Sequence, residues 1–373
     1  MFLRRLNLSH FRNYRDAELS LDSRKVIIVG DNAQGKSNLL EGIQFLSTLK
    51  SYRTSREQDL VYNQQGNAEI GADIIRHHGD YNLGIRIPVK GKRELWVNGQ
   101  RLSRHIDFLG IVNTVLFSSL DTDLVRNAPE YRREWLDNLL LQLEPIYTAI
   151  LREYNQVIKQ RNSLLRLWRN RGITNSEMLE MRIWEEKLAE NACRVMRRRK
   201  RAIERLKPLA QLWHNKLSDE KEKLEIIYQP NVEFEEEEEV EKIRGRIREK
   251  LEMKRNTEIQ FGATLVGVHR DDIGFFINGK SVRHYGSSGQ QRTLVLALKL
   301  GEIQLIEQVV GETPLLLLDD VMAELDLQRQ NNLLHCLGSR FQTFITTTHL
   351  NHFCDSIIQD AQIVKVEQGR LLY

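Results

Sequence analysis

The stretch GDNAQGKS, residues 30–37, follows the apolar run KVIIVG at 25–30 and opens into NLLEGIQFL at 38–46. The spacing G-x-x-x-x-G-K-[ST], set between a short strand and a helix, predicts a phosphate-binding loop. Glycines let backbone N–H groups approach phosphate oxygens closely. Lys36 supplies a cation to the β- and γ-phosphates, and the Ser37 hydroxyl is placed to hold Mg²⁺. The expected nucleotide contacts are therefore Gly30, Asp31, Asn32, Ala33, Gln34, Gly35, Lys36 and Ser37, and the expected cofactors are ATP and Mg²⁺.

Three downstream stretches extend this reading. PLLLLDD at 314–320 is an apolar strand ending in two carboxylates. Beside a phosphate loop, Asp319 is the candidate Mg²⁺ ligand, and Asp320 can orient or activate the attacking water. The plainer reading is a turn and helix cap. ITTTHL at 345–350 ends another strand on His349, a candidate γ-phosphate contact or simply a polar cap. YGSSGQQRTLVLALKLGE at 285–302 is a small polar run opening into an apolar helical pattern. Free N–H groups and the dipole at such a helix start favour an anion. Ser287, Ser288, Gly289 and Gln290 form this second candidate phosphate site; the alternative is an ordinary capping turn.

The totals constrain less. The chain has 373 residues, enough for two or three domains, and 55 Lys+Arg against 51 Asp+Glu, a net of +4. Any nucleic-acid surface must come from local clustering. Cys193, Cys336 and Cys354 are scattered without metal-ligand spacing. No apolar signal core and no run of about 18 apolar residues is visible, so a soluble, cytoplasmic protein is expected. Residues 1–128 are strand-rich, with Phe2 to Phe11 read as an edge strand and Asn98-Gly99 as a hairpin turn. Residues 129–256 carry long helical patterns and almost no glycine. Strand texture returns over 257–373, with a second turn at Asn278-Gly279. The expected fold class is α/β: a P-loop core with an antiparallel β subdomain, split by a helical, coiled-coil-like arm of roughly 50–80 Å at about 1.5 Å per residue.

The motif order (phosphate loop, SSGQQR, LLLLDD, AELD at 323–326, TTTH) resembles that of the ABC-type ATPases. SSGQQR is similar to their signature, with Ser288 replacing a usual glycine. In that family the signature of one subunit caps the γ-phosphate held by the P-loop of another. The resemblance thus implies a head-to-tail homodimer with two buried ATP molecules. Within these ATPases the whole chain resembles the RecF family. LSHFRNY at 8–14, SYRTSREQDLV at 51–61 and PEYRREWLD at 129–137 carry that likeness, with Trp135 where Phe or Tyr is usual. It implies an ATP-dependent, sequence-independent DNA-binding protein of recombinational repair, acting on duplex or single-strand/duplex junctions. It also implies cooperation with RecO and RecR in loading RecA at gaps. Asp320 stands where many relatives carry glutamate and reaches less far toward a water, so slow turnover is expected; the resemblance implies a weak, DNA-stimulated ATPase acting as a dimerisation switch.

If DNA binds, the densest basic cluster is RVMRRRKRAIERLK at 194–207; residues 151–207 hold 16 Lys+Arg against 7 Asp+Glu. Arg197, Arg198, Arg199, Lys200 and Arg201 suit phosphate contacts. The competing reading pairs them with carboxylates of the arm. LKSYRTSRE at 49–57 and KGKRELW at 90–96 are rival surfaces. Two other functions share the motif set. A transporter's ATPase subunit usually has only a short helical segment between P-loop and signature, unlike the long charged insertion here. A structural coiled-coil protein with a vestigial nucleotide site is disfavoured by the intact Lys36, Ser37 and Asp319.

Overall fold

The computed structural model describes residues 1–169, 173–218, 220–235, 237–321, 340–350, 353 and 358–372. A six-stranded sheet forms its centre, in the order Arg370–Leu372, Ala361–Glu367, Lys25–Val29, Thr343–Thr347, Leu315–Asp319, Thr114–Ser118. Its strands are parallel except for the edge strand Arg370–Leu372. Alternate residues face two cores. Ile27, Leu316, Leu318 and Ile345 join one; Val26, Ile28, Leu315, Leu317 and Phe344 join the other. A sheet covered on both faces needs such continuous apolar runs.

Over the second face lies the helix Lys36–Thr48, wedged between the central sheet and an antiparallel sheet. That sheet has the order Tyr14–Ser20, Phe2–Phe11, Asn67–Arg76, Gly79–Pro88, Glu94–Val97, Gln100–Arg101. Phe2–Phe11 is therefore an interior strand and not the expected edge strand, paired on both sides. Its charged residues lie on the solvated face of an antiparallel sheet, where interior strands carry polar side chains as readily as edges do. The hairpin at Asn98-Gly99 forms as expected, with φ of 51° and 77°, the left-handed pair that a tight hairpin turn requires.

Over the first face lie the helices. Pro129–Leu143, Tyr147–Trp168, Asn175–Leu217 and Val240–Phe261 fold back on one another. The 43-residue helix Asn175–Leu217 is about 65 Å long at ~1.5 Å per residue. A capping box between Thr174 and Glu177 starts it. Its C-terminal half lies along the helix Ser288–Val310, so closely that a Cβ on Gly301 would come 3.1 Å from the Ala210 nitrogen. The helical insertion is thus not a detached arm. Leu224–Gln229, within the region expected to be helical, is a strand paired with Asp272–Ile277. The boundary expected at 256 falls inside Val240–Phe261.

The PEYRREWLD segment stitches the two halves of the chain. Arg132 donates to both oxygens of Asp272 at 2.7 and 3.0 Å, Arg133 donates to the Asp271 carbonyl at 2.7 Å, and Trp135 donates to Glu302 at 2.6 Å. Asp137 accepts from Arg199 at 3.0 and 2.9 Å. This last contact corrects the proposed basic surface. Arg199 is 2% exposed and also bonds Asp271, itself 0% exposed, at 3.1 Å. Arg198 donates to Glu144, and Lys200 donates to the Phe234 carbonyl and lies over that ring. The cluster wraps its helix, so one face turns inward and finds carboxylates; only Arg201 of the five is exposed.

Burial pushes the Asp271 carboxyl up, and Arg199 opposes that push. Arg199→Met removes the cation shared by two acidic groups and leaves a buried charge uncompensated. It is expected to lower unfolding stability by about 3–5 kcal/mol in urea titrations. A change below about 1 kcal/mol would contradict the structural role.

Candidate nucleotide site

In a parallel sheet the C-terminal strand ends share one edge, where loops can converge. Val29 leads into the phosphate loop, Leu315–Asp319 ends in its carboxylate, and Thr343–Thr347 lies between them. Ser37 Oγ donates to Asp319 Oδ1 at 2.8 Å. Thr346 Oγ1 donates to the same oxygen at 2.9 Å, and the Tyr52 hydroxyl donates to Oδ2 at 2.9 Å. Asp319 and Ser37, 282 residues apart, form the expected hydroxyl–carboxylate pair, a donor set suited to a hard divalent cation.

The loop itself is held from behind. A Cβ on Gly30 would lie 2.3 Å from the Val366 carbonyl oxygen, so no larger residue fits. Gly35 has φ of 124° and packs on the Asn13 side chain. Asn13 Nδ2 donates to the Gln34 carbonyl at 2.8 Å, the Tyr14 hydroxyl donates to the Gly35 carbonyl at 2.9 Å, and Gly369 N–H donates to the Gln34 carbonyl at 2.9 Å. With the carbonyls drawn back, the N–H groups of the first turn of Lys36–Thr48, which have no intrahelical partner, suit an anion. The Lys36 ammonium donates to the carbonyls of Gly30 and Asp31 at 2.7 and 3.0 Å, so it is held over the loop. Asp31, Asn32 and Ala33 are exposed at the loop's mouth. These residues fit a nucleotide triphosphate with its metal.

Asp320 has φ of 54°, the left-handed region that a non-glycine residue rarely occupies, and its N–H donates to Thr346 Oγ1 at 2.8 Å. Burial pushes its carboxyl up, Lys36 pulls it down, and Asp319 adds to the rise. His349 is exposed two residues beyond Thr343–Thr347, and its carbonyl accepts from Thr347 Oγ1 at 2.9 Å. The AELD stretch at 323–326 lies outside the described residues, as do Cys336 and Cys354.

The second candidate site is a helix N-terminus. Ser287 caps Ser288–Val310. Its Oγ accepts from the Gln290 N–H at 3.2 Å, and its own N–H donates to Gln290 Oε1 at 2.9 Å. Gln290 Nε2 donates to Glu222 at 2.7 Å. Arg126 donates to Gln291 Oε1 at 2.6 Å, and Gln291 in turn donates to the Gly286 carbonyl at 3.2 Å. The capping alternative is therefore also true of this turn. Gln290, expected to meet nucleotide, has its side chain engaged in shaping the turn. Ser287 and Ser288 remain exposed, beside Tyr285, which is 76% exposed.

Sequence reasoning missed Tyr52, Thr346 and Asn13. It also missed Glu41, a buried carboxylate on the P-loop helix that holds Arg12 in two bonds of 2.7 and 2.6 Å and accepts from Ser51 at 2.5 Å. FRNY and SYRT were visible only as motifs; nothing local says what they touch.

The model for the RecF/RecN/SMC N terminal domain matches residues 2–371. The chain is 50% identical over 378 residues to the DNA replication and repair protein RecF of Rippkaea orientalis, covering 100% of this chain and 99% of that one. The solved structure of the recombination mediator protein RecF with ATP in the RecFOR pathway matches with a TM-score of 0.91 at 33% identity, covering 100% of this chain and 97% of that one. The Smc head domain from Pyrococcus furiosus shares the fold, with a TM-score of 0.53 at 18% identity over 99% of this chain and 95% of that one. The architecture is that of an ABC-type ATPase head carrying a helical insertion. Among the described residues no helix is long and apolar enough to cross a membrane.

Proposed function

The chain belongs to the RecF family, and on that premise we propose that it is an ATP-switched DNA-binding protein of recombinational repair and replication restart. ATP is gripped by residues 30–37 of one protomer and by Ser287, Ser288 and Gly289 of a second, in a head-to-tail homodimer closed on duplex or single-strand/duplex junction DNA. One observation carries this reading. The Ser287 turn is shaped from behind by Gln290, Glu222 and Gln291, none of them from the P-loop, and its hydroxyl side is exposed. Because Ser287 Oγ accepts the capping bond, its own proton stays available to a phosphate oxygen of another molecule. Mg²⁺ held by Ser37 and Asp319 would neutralise charge on the β- and γ-phosphates. Asp320 accepts the proton of the attacking water, and His349 contacts the γ-phosphate. Asp320 reaches less far than a glutamate, so turnover is slow and ATP times the closed state. In this reading the DNA-bound dimer works in the cytoplasm with RecR and RecO to load RecA at gaps.

Two measurements test this. Ser287→Arg puts bulk and charge where the partner's phosphate must sit. Sedimentation with ATP and Mg²⁺ should show a monomer that still binds ATP; a dimer at wild-type concentration dependence would overturn the trans arrangement. The second uses pH. Only the ionised Asp320 carboxylate can accept a proton, so hydrolysis should increase with pH through an acid limb. Asp320→Asn should remove that limb and slow turnover about 10²-fold or more while keeping ATP binding. An unchanged limb in the variant would assign the proton elsewhere.

A further inference from the structure

A cleft of about 1350 Å³ lies between the loops of the antiparallel sheet and the first turns of the helix Tyr147–Trp168. Its walls come from four separate stretches, near residues 55–58, 88–93, 103–106 and 148–156. Five lining residues are Arg or Lys and two are Glu. Both carboxylates are already matched: Glu57 by Arg93 at 2.9 Å, and Glu153 by Arg194 of the long helix at 2.8 Å. Arg104 is held by Asp107 at 2.7 Å. Arg56, Lys92 and Arg152 are left. All three are exposed, and among the described residues none of them makes an ion pair.

Three uncompensated cations from three different elements facing one open cleft repel each other, and a polyanion relieves that repulsion. The helical wall runs from Thr148 to Gln156, about 12 Å at ~1.5 Å per residue. A duplex lying along that wall presents, on each strand, one phosphate per ~3.4 Å of its axis, roughly three to four over this length. The three charges come from three separate stretches of the lining, so an extended polyanion suits them better than a small anion.

The cleft also connects to the nucleotide site. Arg93 donates to the carbonyl of Leu49, the residue that caps the C-terminus of the P-loop helix. On the segment leading to Arg56, Tyr52 holds Asp319, and Arg53 donates to Asn38 at 2.5 Å beside the P-loop. The segment leading to Arg56 thus touches both the phosphate loop and the carboxylate of Asp319.

We propose that this cleft seats one sugar–phosphate strand of duplex DNA, with Arg56, Lys92 and Arg152 contacting successive phosphates. The proposal rests on the DNA-binding reading above and moves the contact from residues 197–201 to the cleft between the antiparallel sheet and the helix Tyr147–Trp168. The test is equilibrium binding of the full-length protein, with ATP, to a 30-base-pair duplex across a salt series. The combined Arg56→Gln, Lys92→Gln, Arg152→Gln variant should lose about 2.7 from the slope of log K against log salt, at ~0.9 per contact, and each single change about a third of that. The melting temperature of each single variant stays at the wild-type value, since the side chains are exposed. A slope retained in the combined variant overturns the assignment, as does a slope lost only in an Arg197→Gln, Arg201→Gln variant. Wild-type protein that binds no duplex with ATP would instead sink the DNA-binding reading itself, which the slope comparison distinguishes.

Discussion

The Asp319 carboxylate is the point where the architecture and the chemistry meet. Three hydroxyls grip it, each from a different part of the chain: Ser37 on the phosphate loop, Thr346 on the neighbouring strand, and Tyr52 on the segment beyond the P-loop helix. A carboxylate held by three donors ties the loop, the neighbouring strand and the Tyr52 segment to one point. Burial drives the Tyr52 phenol well above its ordinary range, and the neighbouring Asp319 charge drives it further. Tyr52 therefore stays a donor at every working pH. Preorganised charge of this kind needs little rearrangement when a phosphate's charge develops.

From that point the constraints run outward in two directions. One passes along the P-loop helix to Glu41, Arg12 and the basic cleft. The other passes across the central sheet to the helix that begins at Ser287. Lys299 on that helix is buried and pairs with Asp121, three residues beyond the strand Thr114–Ser118, at 3.2 Å, and Trp135 holds Glu302 one turn further on. The long helix Asn175–Leu217 lies against the same element at Gly301. The exposed Ser287 turn is thus the tip of a rod braced on both sides, and the insertion serves as a scaffold for that rod.

What the sequence disclosed follows from how locally each feature is encoded. The phosphate loop is a contiguous strand, turn and helix whose glycines answer to nearby backbone, so GDNAQGKS could be read directly. The Asn-Gly hairpins and the long helical patterns over residues 129–256 are equally local. The grip on Asp319 was half legible: Ser37 follows from the loop motif, whereas Tyr52 and Thr346 depend on which strands become neighbours. The basic run at 197–201 misled because counting charges cannot say which side of a helix meets Asp137 and Asp271. The opening strand misled because alternating charge looks alike on an edge and on a solvated sheet face. In both cases tertiary packing chose between readings that local chemistry left equal.

The central claim is that each triphosphate is completed by two molecules. It is tested most directly by mixing two inactive proteins, Lys36→Ala and Ser287→Arg, in equal amounts and measuring ATP hydrolysis. A mixed dimer joins the intact loop of one to the intact turn of the other, so the mixture should turn over ATP faster than the sum of the two proteins alone. A mixture no faster than that sum, with mixed dimers present, would contradict the account.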